Sequence, residues 1–203
     1  MYCLSDEILE FFPLGGIILS QEERETARKK LITNYRLRED TIICTHSGKL
    51  IKEKRTIDLL EVFENIRDER LQLFIFGSIP ENRKSKLMPL IERDERIHFL
   101  GWKNEKEMLS ILAGTDLYCQ PGTQSATFQV ALCCGCATMV YPYSSYKVVL
   151  KDNGYYAANM TDIRTVLEKI TEVPEELENM KKKSIKVAGE YLDYKKIAAR
   201  ICR

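Results

Sequence analysis

Two lysines five positions apart, Lys49 and Lys54, lie in the run Ser47-Gly48-Lys49-Leu50-Ile51-Lys52-Glu53-Lys54, directly after a β-branched apolar stretch. Gly48 permits close backbone approach. Each lysine can send an ammonium toward one point above the start of the following helix, where free N–H groups already favour an anion. Two such charges suit a diphosphate; a solvated, lysine-rich turn is the plainer alternative. A second set follows in Asp116 to Gln124 (DLYCQPGTQ) and Ser125-Ala126-Thr127. Pro121-Gly122 makes a tight turn, and Gly122, Thr123, Ser125, Ala126 and Thr127 offer N–H groups and hydroxyls to a phosphate. Helix capping explains the Ser125 and Thr127 hydroxyls equally well.

The elements that must hold these loops show in the hydrophobic pattern. Thr41 to His46 (TIICTH) reads as a strand buried on both faces and ending at Ser47-Gly48. Leu71 to Phe76, closed by Gly77, Ile97 to Leu100, Asp116 to Gln120, Ala137 to Tyr141 and Gly154 to Met160 read as further strands. Helices are expected between them at Thr56 to Ile66, Ser85 to Glu92 (with Pro89 in its interior), Glu105 to Ala113 and Ser125 to Cys134. Strands alternating with helices predict right-handed crossovers and an α/β fold: a Rossmann-like, doubly wound parallel sheet of about six strands. If the strand order reverses between the first and fourth strands, both anion loops open onto one crevice.

Residues 1–40 are expected to form a linker, with Phe11 to Gly16 (FFPLGG) at its heart, and a charged leading helix from Gln21 to Arg38. Residues 41–172 make the ligand-binding domain and 173–203 add packing helices. Thr161-Asp162 reads as an N-cap before Ile163 to Ile170, Pro174 opens the next helix, and Lys181 to Lys183 reads as a solvated helix face.

Length, at 203 residues, fits one large domain, and 44% hydrophobic with 30% charged residues is a globular mix. Thirty-one Lys and Arg against thirty Asp and Glu leave a net charge of +1, so no global field draws the chain to nucleic acid or an acidic membrane. No apolar run is long enough to span a membrane, and Asp6 and Glu7 occupy the place of a signal's basic start, so a cytoplasmic setting is expected. Seven cysteines make an odd count, and no disulfide framework is indicated. Cys133-Cys134-Gly135-Cys136 lacks zinc-site spacing and reads as core; no metal is expected. His46 can reach the crevice, whereas His98 reads as structural. Neither a GxGxxG after the first strand nor a hydrolytic triad is legible.

Gly48-Lys49-x4-Lys54, then LFIFGSIP, RIHFLGW, TDLYCQPG and ALCCGCATMV, resemble the carboxyl-terminal, donor-binding half of retaining GT-B nucleotide-sugar glycosyltransferases, the glycosyl transferases group 1 of family-four type, over roughly residues 41 to 172. The resemblance implies a hexosyltransferase domain for a nucleotide-diphosphate sugar and a glycan or lipid-linked acceptor, as in polysaccharide biosynthesis. It places Lys49 (where Arg is commoner) and Lys54 on the donor diphosphate, Gly77, Ser78 and Gly101-Trp102 by the base, and FFPLGG as the interdomain linker. It implies no cofactor. The family's glutamate pair has no counterpart. Aligning on Gly135 puts Val130 at the second position, and Gln124 and Gln129 are the nearest polar candidates for sugar or ribose. The amino-terminal Rossmann-like half is not in this sequence; it would supply acceptor contacts and any peripheral membrane association, so the isolated chain is expected to bind donor without transferring sugar. A nonenzymatic nucleotide-binding or interaction module is the alternative. No catalytic residue is assigned.

Overall fold

The computed structural model describes residues 13–201, so Cys3, Cys202 and the first two residues of the FFPLGG segment fall outside it. Its order is α1 (Gln21–Tyr35), β1 (Ile42–Lys49), α2 (Thr56–Glu64), β2 (Leu71–Ser78), α3 (Glu81–Glu92), β3 (Ile97–Phe99), α4 (Glu105–Ala113), β4 (Leu117–Gln120), α5 (Thr127–Cys133), β5 (Ala137–Val140), β6 (Gly154–Tyr156), α6 (Met160–Glu172), α7 (Glu175–Tyr191) and α8 (Tyr194–Ile201). All five strand pairings are parallel, in the order β3-β2-β1-β4-β5-β6. The doubly wound sheet read from the sequence is therefore present.

Alternate residues of each strand feed opposite faces. Ile42 and Cys44 join Leu59, Phe63, Leu87, Ile163 and Leu167 on the face covered by α2, α3 and α6. Ile43 and Phe74 meet Leu31 of α1, while Tyr118 and Val140 meet Leu112, Phe128 and Ala188 of α4, α5 and α7. Burial on both faces explains why the strands read as unbroken apolar runs.

Several boundaries differ from the sequence reading. Glycines were expected to end β1 and β2, yet both strands continue, with Gly48 opposite Gly77 and Lys49 opposite Ser78. The physical reason is proximity: a Cβ on Gly77 would lie 1.9 Å from the Gly48 carbonyl oxygen, so two bare Cα positions let the strands close together. α1 stops at Tyr35 because Arg36 turns into the left-handed region at φ 53°. Asn159, not Thr161-Asp162, caps α6, accepting from the Asp162 N–H. α3 starts four residues earlier than expected and carries Pro89 inside it.

Lys181 corrects the solvated-face reading. Its Nζ lies 2.9 Å from Asp116 Oδ1 and 2.7 Å from Glu178 Oε1. Asp116, buried at the foot of β4, also accepts from Arg28 at 2.6 Å and from the Ile43 N–H at 2.9 Å. Burial alone would raise its carboxyl pKa; Lys181, Arg28 and that N–H together hold it below the ordinary value. One carboxylate thus ties α1 and α7 to the sheet.

Pro13–Gly16 docks on the body of the fold. Gly16 donates to the Leu192 carbonyl and bridges to Asp193, and the Gly15 N–H donates to Gln129 Oε1 at 2.9 Å.

Candidate functional site

Strand order reverses between β1 and β4, the neighbours from which the chain winds in opposite directions. The crevice above their carboxyl ends is where a doubly wound sheet binds ligands. After β1 the chain makes a 3-10 turn at Lys52–Lys54, and Arg55 enters the left-handed region at φ 55° before α2. After β4 it runs through Pro121 to Ala126 into α5.

These two loops are joined to each other. The Thr123 N–H donates to the Glu53 carbonyl at 2.9 Å. A Cβ on Gly122 would sit 2.1 Å from that same oxygen and 2.7 Å from Lys54 Cα, so only glycine fits there. Lys54 Nζ donates to the Thr123 and Gln124 carbonyls at 3.1 and 3.2 Å. Its methylenes lie over Gly48, where an added Cβ would meet Lys54 Cε at 3.4 Å. Arg55 completes the junction, donating to the Pro121 carbonyl at 3.3 Å and the Ala158 carbonyl at 2.6 Å while pairing with Asp58.

The two lysines are not equivalent. Lys49 is exposed, but Lys54 is only 7% exposed, and that burial pushes its ammonium pKa below the ordinary 10.5. The reading of a solvated, lysine-rich turn fails for Lys54, which is buried, and Lys49, though exposed, ends β1 and does not lie in a turn. Two carbonyls use two of the three Lys54 protons, which leaves one for a ligand.

The remaining candidates are distributed around this junction. Thr123 spends its N–H on Glu53. Ser125 Oγ accepts from the Thr127 N–H at 3.3 Å and lies 3.2 Å from the Thr127 hydroxyl, a local capping arrangement, and Ala126 between them is exposed. Gln124 is exposed and donates to the Ser145 hydroxyl. Gln129 is committed to Gly15, as described above. Gly77 and Ser78 lie at the end of β2, with the Gly77 N–H on the Gly101 carbonyl at 2.8 Å and the Ser78 carbonyl accepting from Leu50. Trp102 is 73% exposed beside them.

His46 does not reach the crevice. It is fully buried, and since a carbonyl can only accept, its Nδ1–H donates to Cys119 at 2.8 Å while Nε2 accepts from the Thr56 hydroxyl at 2.9 Å. Burial lowers its pKa from 6.5 to about 4. Cys133, Cys134 and Cys136 are buried among α5, β5 and α7, and burial pushes the first two thiols up to about 12.

Three participants escaped the sequence reading: Arg55, the Asp116 knot, and Gln120. Gln120 ends β4 fully buried, and its Nε2 donates to the Thr123 carbonyl at 2.6 Å and to the Tyr146 hydroxyl at 3.1 Å. A polar residue closing an apolar strand was the available signal for it. A wider concavity of about 1010 Å³ lies at the opposite, amino ends of β2 and β3. Its charges are largely spent on one another, as in Asp68–Arg70, Asp94–Arg96 and Glu64–Arg93.

Fold and junction define a Rossmann-like domain with one buried lysine, Lys54, where two loops meet at its switch point. The chain belongs to the glycosyl transferases group 1 family, whose model matches residues 27–187. Among curated proteins none matches it. Solved structures share its fold at low identity. HepE from Anabaena, in complex with UDP and glucose, aligns with a TM-score of 0.74 and 16% identity over 93% of this chain and 54% of its own. Sucrose-phosphate synthase from Thermosynechococcus elongatus aligns at 0.77 and 14% over 94% and 50%. WaaG, a glycosyltransferase involved in lipopolysaccharide biosynthesis, aligns at 0.72 and 17% over 95% and 56%. The chain spans about half the length of these proteins, and its fold is that of a carboxyl-terminal GT-B half. Among the described residues no helix is long and apolar enough to cross a membrane.

Proposed function

We propose that this chain is the donor-binding half of a hexosyl-transferring glycosyltransferase, taking a nucleotide-diphosphate sugar with its diphosphate at Lys54 and Lys49. The observation that carries the reading is the Lys54 ammonium, buried over Gly48 at the switch point and braced by the Thr123 and Gln124 carbonyls. As the sugar–oxygen bond breaks, negative charge grows on the leaving diphosphate, and a pre-placed cation in a dry site stabilises it without proton transfer. Lys54 fills that role; exposed Lys49 adds a second charge from the rim. Two ammonium groups supply this charge without a metal, so donor binding is expected to survive chelation by EDTA. Gly77, Ser78 and Trp102 border the end of β2, where the base is placed. The HepE structure holding UDP supports the nucleotide class.

Acceptor contacts, glycan or lipid-linked, are assigned to a second Rossmann-like half, and with it any association with a membrane surface. A nonenzymatic nucleotide-binding module is the second reading. It is favoured by Val130 and by Gln129, whose amide oxygen is already occupied by Gly15. Thermal-shift titration with uridine and guanosine diphosphate sugars tests the donor reading. A saturable rise in melting temperature with one nucleotide series is expected, and no shift with any of them would contradict it. Sugar transfer after adding the second half separates enzyme from module.

A further inference from the structure

Beyond β5 the chain reads Tyr141-Pro142-Tyr143-Ser144-Ser145-Tyr146-Lys147, and its three tyrosines form a ladder of rings. The Tyr141 and Tyr143 centroids are 5.0 Å apart at 51°, and Tyr143 and Tyr146 are 5.8 Å apart at 89°. Tyr146 is the anchored rung: it is buried, packs on Phe128 at 4.3 Å, and its hydroxyl accepts from Gln120. Tyr141 and Tyr143 are only partly buried, so the anchored ring holds two others that still meet solvent.

The ladder is joined to the phosphate junction. Gln120 Nε2 bonds both the Tyr146 hydroxyl and the Thr123 carbonyl, which Lys54 also holds. Gln124, whose carbonyl is the other Lys54 acceptor, donates its amide to Ser145. Rigid rings with apolar faces, beside an exposed amide and the exposed hydroxyls of Ser144 and Ser145, match a pyranose, which offers a C–H face to stack and hydroxyls to hydrogen-bond. From Leu117 to Lys151 the chain has no carboxylate. An aminosugar would find no counter-charge on these loops, whereas an uncharged ring needs none.

We propose that Tyr141 and Tyr143, with Gln124, form the sugar subsite of this crevice and take the uncharged hexose ring of the nucleotide sugar. The inference rests on the donor reading above, and its test separates the two. Titration calorimetry compares uridine diphosphate with UDP-glucose, and guanosine diphosphate with GDP-mannose, on the unmodified chain, Tyr141→Leu, Tyr143→Leu and Tyr143→Phe. Each leucine variant is expected to lose about three- to tenfold in affinity for the nucleotide sugar, with nucleoside diphosphate affinity unchanged and Tyr143→Phe close to the parent. Tyr141→Leu, at the outermost rung, carries the test should Tyr143→Leu not fold. Nucleoside diphosphate binding with no selective loss of the sugar conjugate overturns this inference alone. Failure of every nucleoside diphosphate to bind overturns both.

Discussion

Burial strips water from the Lys54 ammonium, and the Thr123 and Gln124 carbonyls replace part of what is lost. Removing the side chain therefore takes the donor from the Gln124 carbonyl, leaves the Thr123 carbonyl with Gln120 alone, and leaves a crevice without its inner charge. Lys54→Ala is expected to cost about 1 to 3 kcal/mol of stability, whereas Lys49→Ala, at an exposed position, should stay within about 0.5 kcal/mol; urea unfolding of both variants checks the contrast. In a solvated, lysine-rich turn, the plainer alternative read from the sequence, neither lysine would affect folding. The spacing singles out the pair, but nothing in it states which member is buried, because that depends on Gly122 packing against Glu53, 69 positions away in the chain. His46 makes a second prediction at this scale. Its folded-state pKa of about 4 lies below the ordinary 6.5, so the unfolded chain takes up the proton first as pH falls. Stability should be flat above pH 6.5, decline by up to about 3 kcal/mol between pH 6.5 and 4, and flatten below for this group. Melting curves across that range check it, and a His46→Gln variant should lack that share of the slope.

At the scale of elements, the strand ends decide where the crevice is. β1 and β2 carry their pairing through Gly48 and Gly77, which moves Lys49 onto a strand and leaves the 3-10 turn to aim Lys54. Gly77→Ala would force a Cβ into the Gly48 carbonyl at a φ of +133°, and a loss of about 2 to 4 kcal/mol in urea unfolding is expected. The alternation of strands and helices was legible because burial on both faces leaves continuous apolar runs, and Glu105–Ala113 was placed to the residue. Glycine misled at β1 and β2 because its common role as a strand breaker gives way when two glycines face each other. Caps such as Asn159 and the left-handed Arg36 were missed because several neighbouring residues could have served.

For the whole molecule, one buried carboxylate links the leading helix, the sheet and α7. Asp116→Asn removes the charge that Arg28 and Lys181 neutralise and is expected to cost about 3 to 5 kcal/mol. Because its folded pKa is depressed, the stability it contributes is present above its ordinary value of 3.8 and lost as pH falls through the lower folded value; the variant should lack that acid limb in melting curves below pH 4. This knot was illegible in the sequence, where Lys181 sits in a run of three lysines and Asp116 looks like a strand's first residue. With the frame so held, the central claim concerns the crevice it presents. Titration calorimetry of the preferred nucleoside diphosphate at low salt, on the parent, Lys49→Ala, Lys54→Ala and the turn control Lys52→Ala, tests it most directly. The account predicts losses of about tenfold to a hundredfold for Lys49→Ala and Lys54→Ala and little change for Lys52→Ala, while equal, negligible losses for all three would contradict it.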